Sequence, residues 1–300
     1  MSSHSISSPS KHATSTRSIA VIGGGLAGIA ATMALAEAGF HVELIEAKSQ
    51  LGGRAGSYID PTSGQTVDYC QHVGMNCCQN LKHLIAMLGQ AHAWRLEQTL
   101  HFFDSRGKHL PISAWPCPAP LHLTGLLLRW PGLTLIDRLQ IAGAVVALMR
   151  MRDDDTALNG FAITWLMQNQ APRVVKNFWE TILVSALGEK LERVGLRPVK
   201  KVLLDGFANH RSAYALLVPQ QPLSILFDQS VRDRLKQFPN VQVSTSKRVN
   251  RIETRKEDRT IRVDQQHFDE VIVAVPWYRV QNLLGEEFPG PTLQESAITG

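Results

Sequence analysis

Residues 19–46 read IAVIGGGLAGIAATMALAEAGFHVELIE, and this stretch decides the fold. The apolar run 19–22 predicts a buried parallel strand, and the glycines at 23–25 interrupt it. Residues 26–39 predict an alanine-rich helix that ends at Gly39, and 41–46 predict a second strand. A strand, a helix and a strand within about thirty residues form a βαβ unit.

Three glycines in this stretch have the spacing Gly23-x-Gly25-x-x-Gly28. In such a turn the first glycine makes the bend, the second lets the backbone approach a pyrophosphate, and the third lets the helix pack closely on the strand. The phosphates would meet the N–H groups at the start of the helix. Glu46 ends the next strand, 18 residues past Gly28, at the distance needed to bind the ribose hydroxyls. The pattern therefore predicts a site for a dinucleotide.

The segment Gly52-Gly53-Arg54, which follows Glu46, favours FAD over NAD. It resembles the extended motif of the amine-oxidase and phytoene-desaturase flavoprotein superfamily, and this resemblance implies that the second glycine pair and the arginine lie along the FAD pyrophosphate. Residues 247–252 resemble the superfamily strand that lays a backbone amide against the adenine, and 269–276 resemble its late strand ending in Val-Pro. The residues expected to bind FAD are Gly23, Gly25, Leu26, Ala27, Gly28, Glu46, Ala47, Gly53, Arg54 and Val249.

The order of patterns along the chain predicts an α/β fold, in which a Rossmann-like FAD-binding domain carries an inserted, mostly helical substrate domain. We expect a disordered arm at 1–17, the FAD-binding domain at 18–75 and 203–300, and the substrate domain at 76–202. The FAD-binding domain should contain a hairpin at 58–68, with its turn near Pro61 and Gly64. A helix should follow at 80–88. Strands near 241–243, 252 and 261–263 should form a small sheet, and 268–276 should end in a buried parallel strand.

Three further segments resemble the hydroxysqualene dehydroxylases, a squalene-associated group within the same superfamily. Residues 67–73 are similar to that group's "DNGQHV", residues 217–227 to its "VPxxPLSxLF", and residues 178–187 to its "FWxPLxxAxLN" stretch. The resemblance implies reduction of hydroxysqualene to squalene by hydride from reduced FAD. The long apolar isoprenoid substrate would suit residues 115–150 as a tunnel wall or a membrane-facing entrance, although plain core packing would also explain this stretch.

Loss of a hydroxyl from an allylic carbon needs a proton donor, and His72 follows the first FAD segment, where the superfamily approaches the flavin ring. We expect His72 to be the donor, with Gln71 and Asp68 orienting it or the ring; a histidine bonded only to the backbone is the alternative. The chain departs from the family pattern at Tyr69 and Cys70, which replace Asn and Gly.

The C-terminal region departs further. The superfamily closes its FAD site with a Gly-Asp segment, which is absent from this sequence, and we interpret the 300 residues as a partial chain.

Other interpretations of the function stay open. A carotenoid desaturase, an amine oxidase and a non-catalytic binder of prenyl lipids share the same motifs. Nucleic acid is not an expected partner, because the net charge of +5 comes from dispersed residues without aromatic interleaving. Metal binding is not expected either, since Cys70, His72, Cys77, Cys78 and His83 match no zinc spacing.

The sequence favours a cytoplasmic protein, with a peripheral position on the inner face of the membrane as the alternative. Its four cysteines form no CxxC pair, which is typical of a reducing compartment. The serine-rich N-terminus lacks the apolar stretch of a secretory signal. No uncharged apolar run reaches the roughly 20 residues of a spanning helix.

Overall fold

The computed structural model describes residues 17–69, 73–103, 107–254 and 260–285. Gln71 and His72 lie outside the described residues, as does the predicted arm apart from Arg17. The strands of the described ranges are β1 (Ser18–Ile22), β2 (His41–Ile45), β3 (Ser57–Ile59), β4 (Thr66–Asp68), β5 (Gly74–Met75), β6 (Trp94–Glu97), β7 (Leu100–Phe103), β8 (His109–Ile112), β9 (Leu216–Pro219), β10 (Val241–Ser244), β11 (Ile252–Thr254), β12 (Ile261–Val263), β13 (Gln266–Phe268) and β14 (Glu270–Val273).

Helices account for much of the remaining described chain. The α-helices are α1 (Leu26–Glu37), α2 (Gln79–Met87), α3 (Thr124–Arg129), α4 (Leu135–Arg150), α5 (Ala162–Asn169), α6 (Pro172–Val174), α7 (Glu180–Leu187), α8 (Leu196–Leu203), α9 (Ser230–Leu235) and α10 (Trp277–Leu284). Short 3₁₀ helices lie at Ala91–Ala93, Leu121–Leu123 and Thr156–Asn159, and π-helical segments at Val175–Trp179, Leu204–Ala208 and Ile225–Gln229.

The described residues form two compact units. The first contains residues 17–69, 83–93 and 219–285, and the second contains 73–82 and 94–218. The second unit thus extends past residue 202, where the predicted insertion ends, and 83–93 belong to the first unit.

The first unit is built on a sheet of four parallel strands in the order β10–β2–β1–β14. Ile22 at the end of β1 lies beside Ile45 of β2 on one side and Val273 of β14 on the other. Strands β2 and β10 lie on one side of β1, and β14 lies on the other side. The strand order therefore reverses between β1 and β14, and ligands of open α/β sheets bind at the carboxyl ends of the strands at such a point.

The predicted βαβ unit is confirmed in detail. Helix α1 buries Gly28, Ile29, Thr32, Met33 and Ala36 against the sheet. It ends in a Schellman motif, in which the Gly39 N–H donates to Ala36 and the Phe40 N–H to Leu35, and Gly39 has φ +86°. The Gly39 stop was therefore predicted correctly.

Two strand predictions in the first unit need correction. Residues 241–243 were assigned to a small sheet, but they lie in β10, which pairs in parallel with β2. The small antiparallel sheet consists of β11, β12 and β13. Strand β14 is parallel as predicted, yet its side chains alternate between exposed and half-buried because it has a partner in the described residues on one side only. The hairpin of β3 and β4 is confirmed, with Gly64 at φ +68° in its turn.

The second unit has a helical core, but residues 94–112 contain the strands β6, β7 and β8, which were not predicted. Strands β7 and β8 form an antiparallel hairpin, and β6 joins β5 and β9 in a three-stranded sheet. Alternate residues of β7 are half-buried, a period of two that identifies a strand. Beyond this sheet the helices bury a continuous core, with Leu148, Leu166, Leu183 and Val199 fully enclosed.

Helix α4 has a capping box at its N-terminus and an exposed apolar face. Its capping box joins Thr134 and Asp137: the Asp137 carboxylate accepts the Thr134 N–H at 2.7 Å, and the Asp137 N–H donates to the Thr134 hydroxyl. The hydrogen bonds from Thr134 hold the pKa of the Asp137 carboxyl below its ordinary value. On the solvent side Leu135, Ile136 and Leu139 are 70%, 68% and 64% exposed. No helix of the described ranges is both long enough and apolar enough to cross a bilayer.

Candidate functional site

The glycine turn forms the centre of the candidate site, at the carboxyl end of β1. Gly23 has φ +108°, and an added Cβ there would lie 2.6 Å from the Ala274 carbonyl oxygen. A Cβ on Gly28 would lie 1.8 Å from the Gly23 oxygen. By contrast, a Cβ on Gly25 would meet nothing within 4 Å. Two glycines are thus required by packing, whereas the third faces open space in front of the turn.

The start of α1 is the part of this turn that could hold an anion. Gly25 caps the helix without any side-chain hydrogen bond, so the first N–H groups of the helix are left for a ligand. Leu26 is half-buried, Ala27 is exposed, and Gly28 is buried against Gly23. The backbone around these residues has the free donors and the space that a diphosphate needs.

A second glycine loop lies against the first. The Gly52 N–H donates to the Gly24 carbonyl at 2.8 Å, and Gly25 and Gly52 form an isolated parallel bridge. Gly52 and Gly53 have φ +96° and +62°, and a Cβ on Gly53 would lie 3.0 Å from the Gly25 Cα. Two non-adjacent segments, predicted separately to approach one pyrophosphate, are therefore hydrogen-bonded to each other.

Glu46 lies immediately after β2, beside the turn. Its carboxylate accepts the Gly24 N–H at 2.6 Å through Oε2 and the Lys48 N–H at 2.8 Å through Oε1. These two bonds orient the carboxylate, and each oxygen retains a lone pair that can accept from a hydroxyl. The position suits an acceptor for the hydroxyls of a ribose held at the turn.

Arg54 and Ala47 are both exposed beside these loops. Arg54 makes no hydrogen bond or ion pair with the part of the chain that the structure describes, so its guanidinium is available to an anion. Next to it is a cavity of about 310 Å³, lined by Lys48, Ser49, Gln50, Leu51, Gly53, Gly56 and Tyr69. Lys48 Nζ lies 5.5 Å from the centre of the Tyr69 ring in this lining.

Val249 does not lie in a strand, in contrast to the prediction, because β11 begins only at Ile252. Its side chain packs in a small core with Ile252, Val263 and Phe268. Its backbone N–H and C=O make no hydrogen bond with any described residue. A buried side chain with an unpaired peptide group is what a base-binding position requires, since the adenine edge would complete both bonds.

Asp68 is hydrogen-bonded to two other segments of the first unit, and its predicted role beside His72 stays a prediction. Its Oδ1 accepts the Ser57 hydroxyl at 2.6 Å and the Leu223 N–H at 3.0 Å, and Ser57 in turn accepts the Ser224 N–H at 2.9 Å. Asp68 and Ser57 therefore cap the start of the helical segment that continues into α9. His72, which Asp68 was predicted to orient, lies outside the described residues, as does Gln71.

The described cysteines do not form a metal site. No group of three or more histidine, cysteine or acidic side chains is placed to hold a metal within the described ranges. Burial, and after it the neighbouring Cys78, raise the pKa of the Cys77 thiol to about 11. Cys77 is thus a neutral thiol at pH 7.

Sequence reasoning missed one pair beside the second glycine loop. Asp228 Oδ1 accepts the Leu51 N–H at 2.9 Å, and Arg232 donates to Asp228 at 2.6 Å and to the Ser49 carbonyl at 2.8 Å. The spacing Asp-x-x-x-Arg on a helix is the one available signal, and it is shared by many surface ion pairs.

Comparison with known proteins identifies one family and several relatives. The family described as flavin containing amine oxidoreductase matches residues 26–298. Zeta-carotene desaturase from Synechocystis sp. is 38% identical over 89 residues, which cover 30% of this chain and 18% of that protein. Hydroxysqualene dehydroxylase from Zymomonas mobilis is 32% identical over 103 residues, which cover 33% of this chain and 25% of that protein.

Solved structures share the fold. An oxidoreductase from Methanosarcina mazei matches with a TM-score of 0.65 at 17% identity, over 90% of this chain and 62% of that chain. Such an identity supports a common fold only. The matched part of the chain spans a quarter or less of these two curated relatives and less than two thirds of the solved structure.

The glycine turn yields a first prediction, in which two neighbouring substitutions separate cofactor binding from folding. Gly25→Ala should leave thermal unfolding of the apoprotein unchanged, because its φ of −73° suits alanine and its Cβ meets open space. It should raise the dissociation constant of FAD at least about tenfold, since the methyl group occupies the space of the pyrophosphate. Flavin fluorescence titration measures the affinity.

Gly28→Ala is the matched comparison. Its Cβ would overlap the Gly23 oxygen, so the free energy of unfolding should fall by about 1–3 kcal/mol. Normal FAD affinity in Gly25→Ala would contradict the placement of the diphosphate.

Proposed function

This chain belongs to the family of flavin-containing amine oxidoreductases, and from that premise we propose that it reduces hydroxysqualene to squalene with reduced FAD. The predicted cofactor is confirmed at the level of the family, whose members contain flavin. Three of the FAD-binding residues proposed from the sequence suit this cofactor: a Cβ on Gly25 would meet open space, each Glu46 oxygen keeps a lone pair, and Arg54 makes no hydrogen bond or ion pair with a described residue.

One contact joins segments that carry the resemblance to hydroxysqualene dehydroxylases. Two of the three segments that resemble hydroxysqualene dehydroxylases, residues 67–73 and 217–227, are hydrogen-bonded to each other, because Asp68 accepts the Leu223 N–H at 3.0 Å. Residues that are 155 positions apart in the chain thus form one local structure beside the second glycine loop. Two relatives named hydroxysqualene dehydroxylase, from Zymomonas mobilis and Rhodopseudomonas palustris, align with parts of this chain.

The reaction needs a hydride, a proton and a leaving hydroxyl. Reduced FAD supplies the hydride when bound, and the chain must supply the proton. The carbon–oxygen bond breaks, a carbon–hydrogen bond forms, and the hydroxyl leaves as water. We propose His72 as the proton donor and Gln71 as a residue that orients it. Asp68 would act through the hairpin that it ties to residues 223–224.

A carotenoid desaturase is the second candidate, supported by the zeta-carotene desaturase relatives. It would run hydride transfer in the opposite direction, from an apolar isoprenoid to oxidised FAD. Both candidate reactions use the same cofactor and a long apolar substrate. They differ in whether reduced or oxidised FAD reacts with the substrate.

We also propose that the exposed face of α4 meets an anionic membrane surface, from which the apolar substrate would enter. Leu135, Ile136 and Leu139 form its apolar part, while exposed Arg129 precedes the helix and exposed Arg150 ends it. A helix of 16 residues is about 24 Å long. Apolar side chains flanked by arginines are typical of a helix that lies in the interface of a bilayer.

The direction of hydride flow distinguishes the two candidate reactions. Photoreduced protein incubated without oxygen should convert hydroxysqualene to one equivalent of squalene while the flavin spectrum returns to the oxidised form. Oxidised protein should leave zeta-carotene unchanged. Flavin reduction by zeta-carotene, with no squalene formed from hydroxysqualene, would assign the chain to the desaturases instead.

The proton donor can be tested with His72→Ala. The variant should bind FAD with unchanged affinity, yet lose about 10²–10⁴-fold in the rate of squalene formation. The acetate ester of hydroxysqualene should restore part of the rate, because acetate leaves without needing a proton from the protein. Full activity of His72→Ala towards hydroxysqualene would eliminate this role.

Membrane binding can be tested with Ile136→Ser combined with Leu139→Ser. Each apolar side chain removed from the interface loses up to about 1.5–3 kcal/mol of burial, so partition into phosphatidylglycerol-containing vesicles should fall at least about tenfold. Ile59→Ser is the control, because Ile59 is 70% exposed but lies in the first unit. An equal loss in the control would argue against a specific role for α4.

A further inference from the structure

A helical segment contacts the second glycine loop. It runs from Leu223 through the π-helical turn Ile225–Gln229 into α9. Asp228 accepts the Leu51 N–H at 2.9 Å, which anchors the residue directly before Gly52. Arg232, one turn later, donates to the Ser49 carbonyl at 2.8 Å. The two side chains therefore hold the loop at two nearby positions.

Asp228 and Arg232 also bind each other, at 2.6 Å between Arg232 Nε and Asp228 Oδ1. Their side chains are only 18% and 31% exposed, so water screens this pair less than a pair on the open surface. Hydrogen bonds in which both partners are charged are among the stronger ones in proteins. The anchor of the loop is thus itself fixed by a shielded ion pair.

The loop is fixed on its opposite side by the glycine turn. The Gly52 N–H donates to Gly24, and a Cβ on Gly52 would lie 2.6 Å from the Ala55 oxygen and 3.4 Å from the Phe227 Cβ. Leu51 and Gly52, both buried, therefore lie between the turn and the helix, whereas Ser49 and Gln50 are exposed. Gly53 and Arg54, which follow immediately, have no comparable anchor among the described residues.

We propose that Asp228 and Arg232 are positioning residues for the cofactor diphosphate. They do not touch the ligand; they hold residues 49–52 so that the Gly53 N–H and the Arg54 guanidinium face the diphosphate at the start of α1. A π-helical turn at this place is consistent with such a role, because these turns recur at functional sites. The proposal rests on the FAD site described above.

The test compares two aspartates on the same helical segment. Asp228→Ala removes the acceptor of the loop, whereas Asp233→Ala removes an exposed carboxylate that pairs with Lys236 at 2.8 Å. The dissociation constants of FAD, ADP and AMP are measured by titration of the apoprotein. Removal of a hydrogen bond to a charged group should weaken FAD and ADP roughly 10–100-fold in Asp228→Ala.

AMP is the ligand that separates positioning from general damage. It carries the adenine and ribose but no diphosphate, so its dissociation constant should stay within about twofold of the wild-type value. Asp233→Ala should change none of the three affinities. Asp228→Asn keeps an acceptor for the Leu51 N–H without the charge, so it should give an intermediate loss of FAD and ADP affinity. It replaces Asp228→Ala in the comparison if that variant does not fold.

Two results would overturn the proposal. Unchanged ADP and FAD affinities in Asp228→Asn and Asp228→Ala would show that the loop needs no anchor, and an equal loss for AMP would show that the pair only maintains the fold. Failure of the wild-type apoprotein to bind FAD at all would instead refute the cofactor assignment, and this outcome is recognised before any variant is compared.

Discussion

The close approach between Gly28 and the Gly23 carbonyl is the constraint on which the first unit depends. A side chain at Gly28 would stand 1.8 Å from that oxygen, so α1 can start directly at the end of β1 only with glycine there. With α1 in this place, β2 returns parallel to β1 and delivers Glu46 beside Gly24. The turn also provides the carbonyl that receives the Gly52 N–H. One backbone contact thus locates both glycine loops and the acidic residue.

The sequence allowed prediction of this turn because local chemistry determines it. Glycine spacing, the apolar run before it and Gly39 after it each have a physical meaning that does not depend on distant partners. The strand at 241–243 was recognised as a strand but placed in the wrong sheet. A short apolar run shows that a strand is buried, whereas its neighbours depend on the path of the chain between strands.

Two other features could not be read from the sequence. The substrate domain at 76–202 was expected to be mostly helical, and the strands β6, β7 and β8 within it were not identified because each is only four residues long. Asp228 and Arg232 have the spacing of an ordinary surface pair, and the sequence does not show that Asp228 contacts Leu51, which lies 177 positions earlier in the chain. Val249 was also expected in a strand, but β11 begins only at Ile252, and its role at the adenine stays a prediction.

The two glycine loops have a consequence for how tightly different anions are held. The N–H groups of Leu51 and Gly52 already donate to Asp228 and Gly24, so the second loop offers few donors by itself. The first loop has only the short N-terminus of α1. A ligand with two linked phosphates can engage both loops at once, and the second contact then forms at a high effective concentration. A single phosphate would gain nothing from this arrangement, so a diphosphate bound at both loops would be favoured by its two linked groups as well as by its charge.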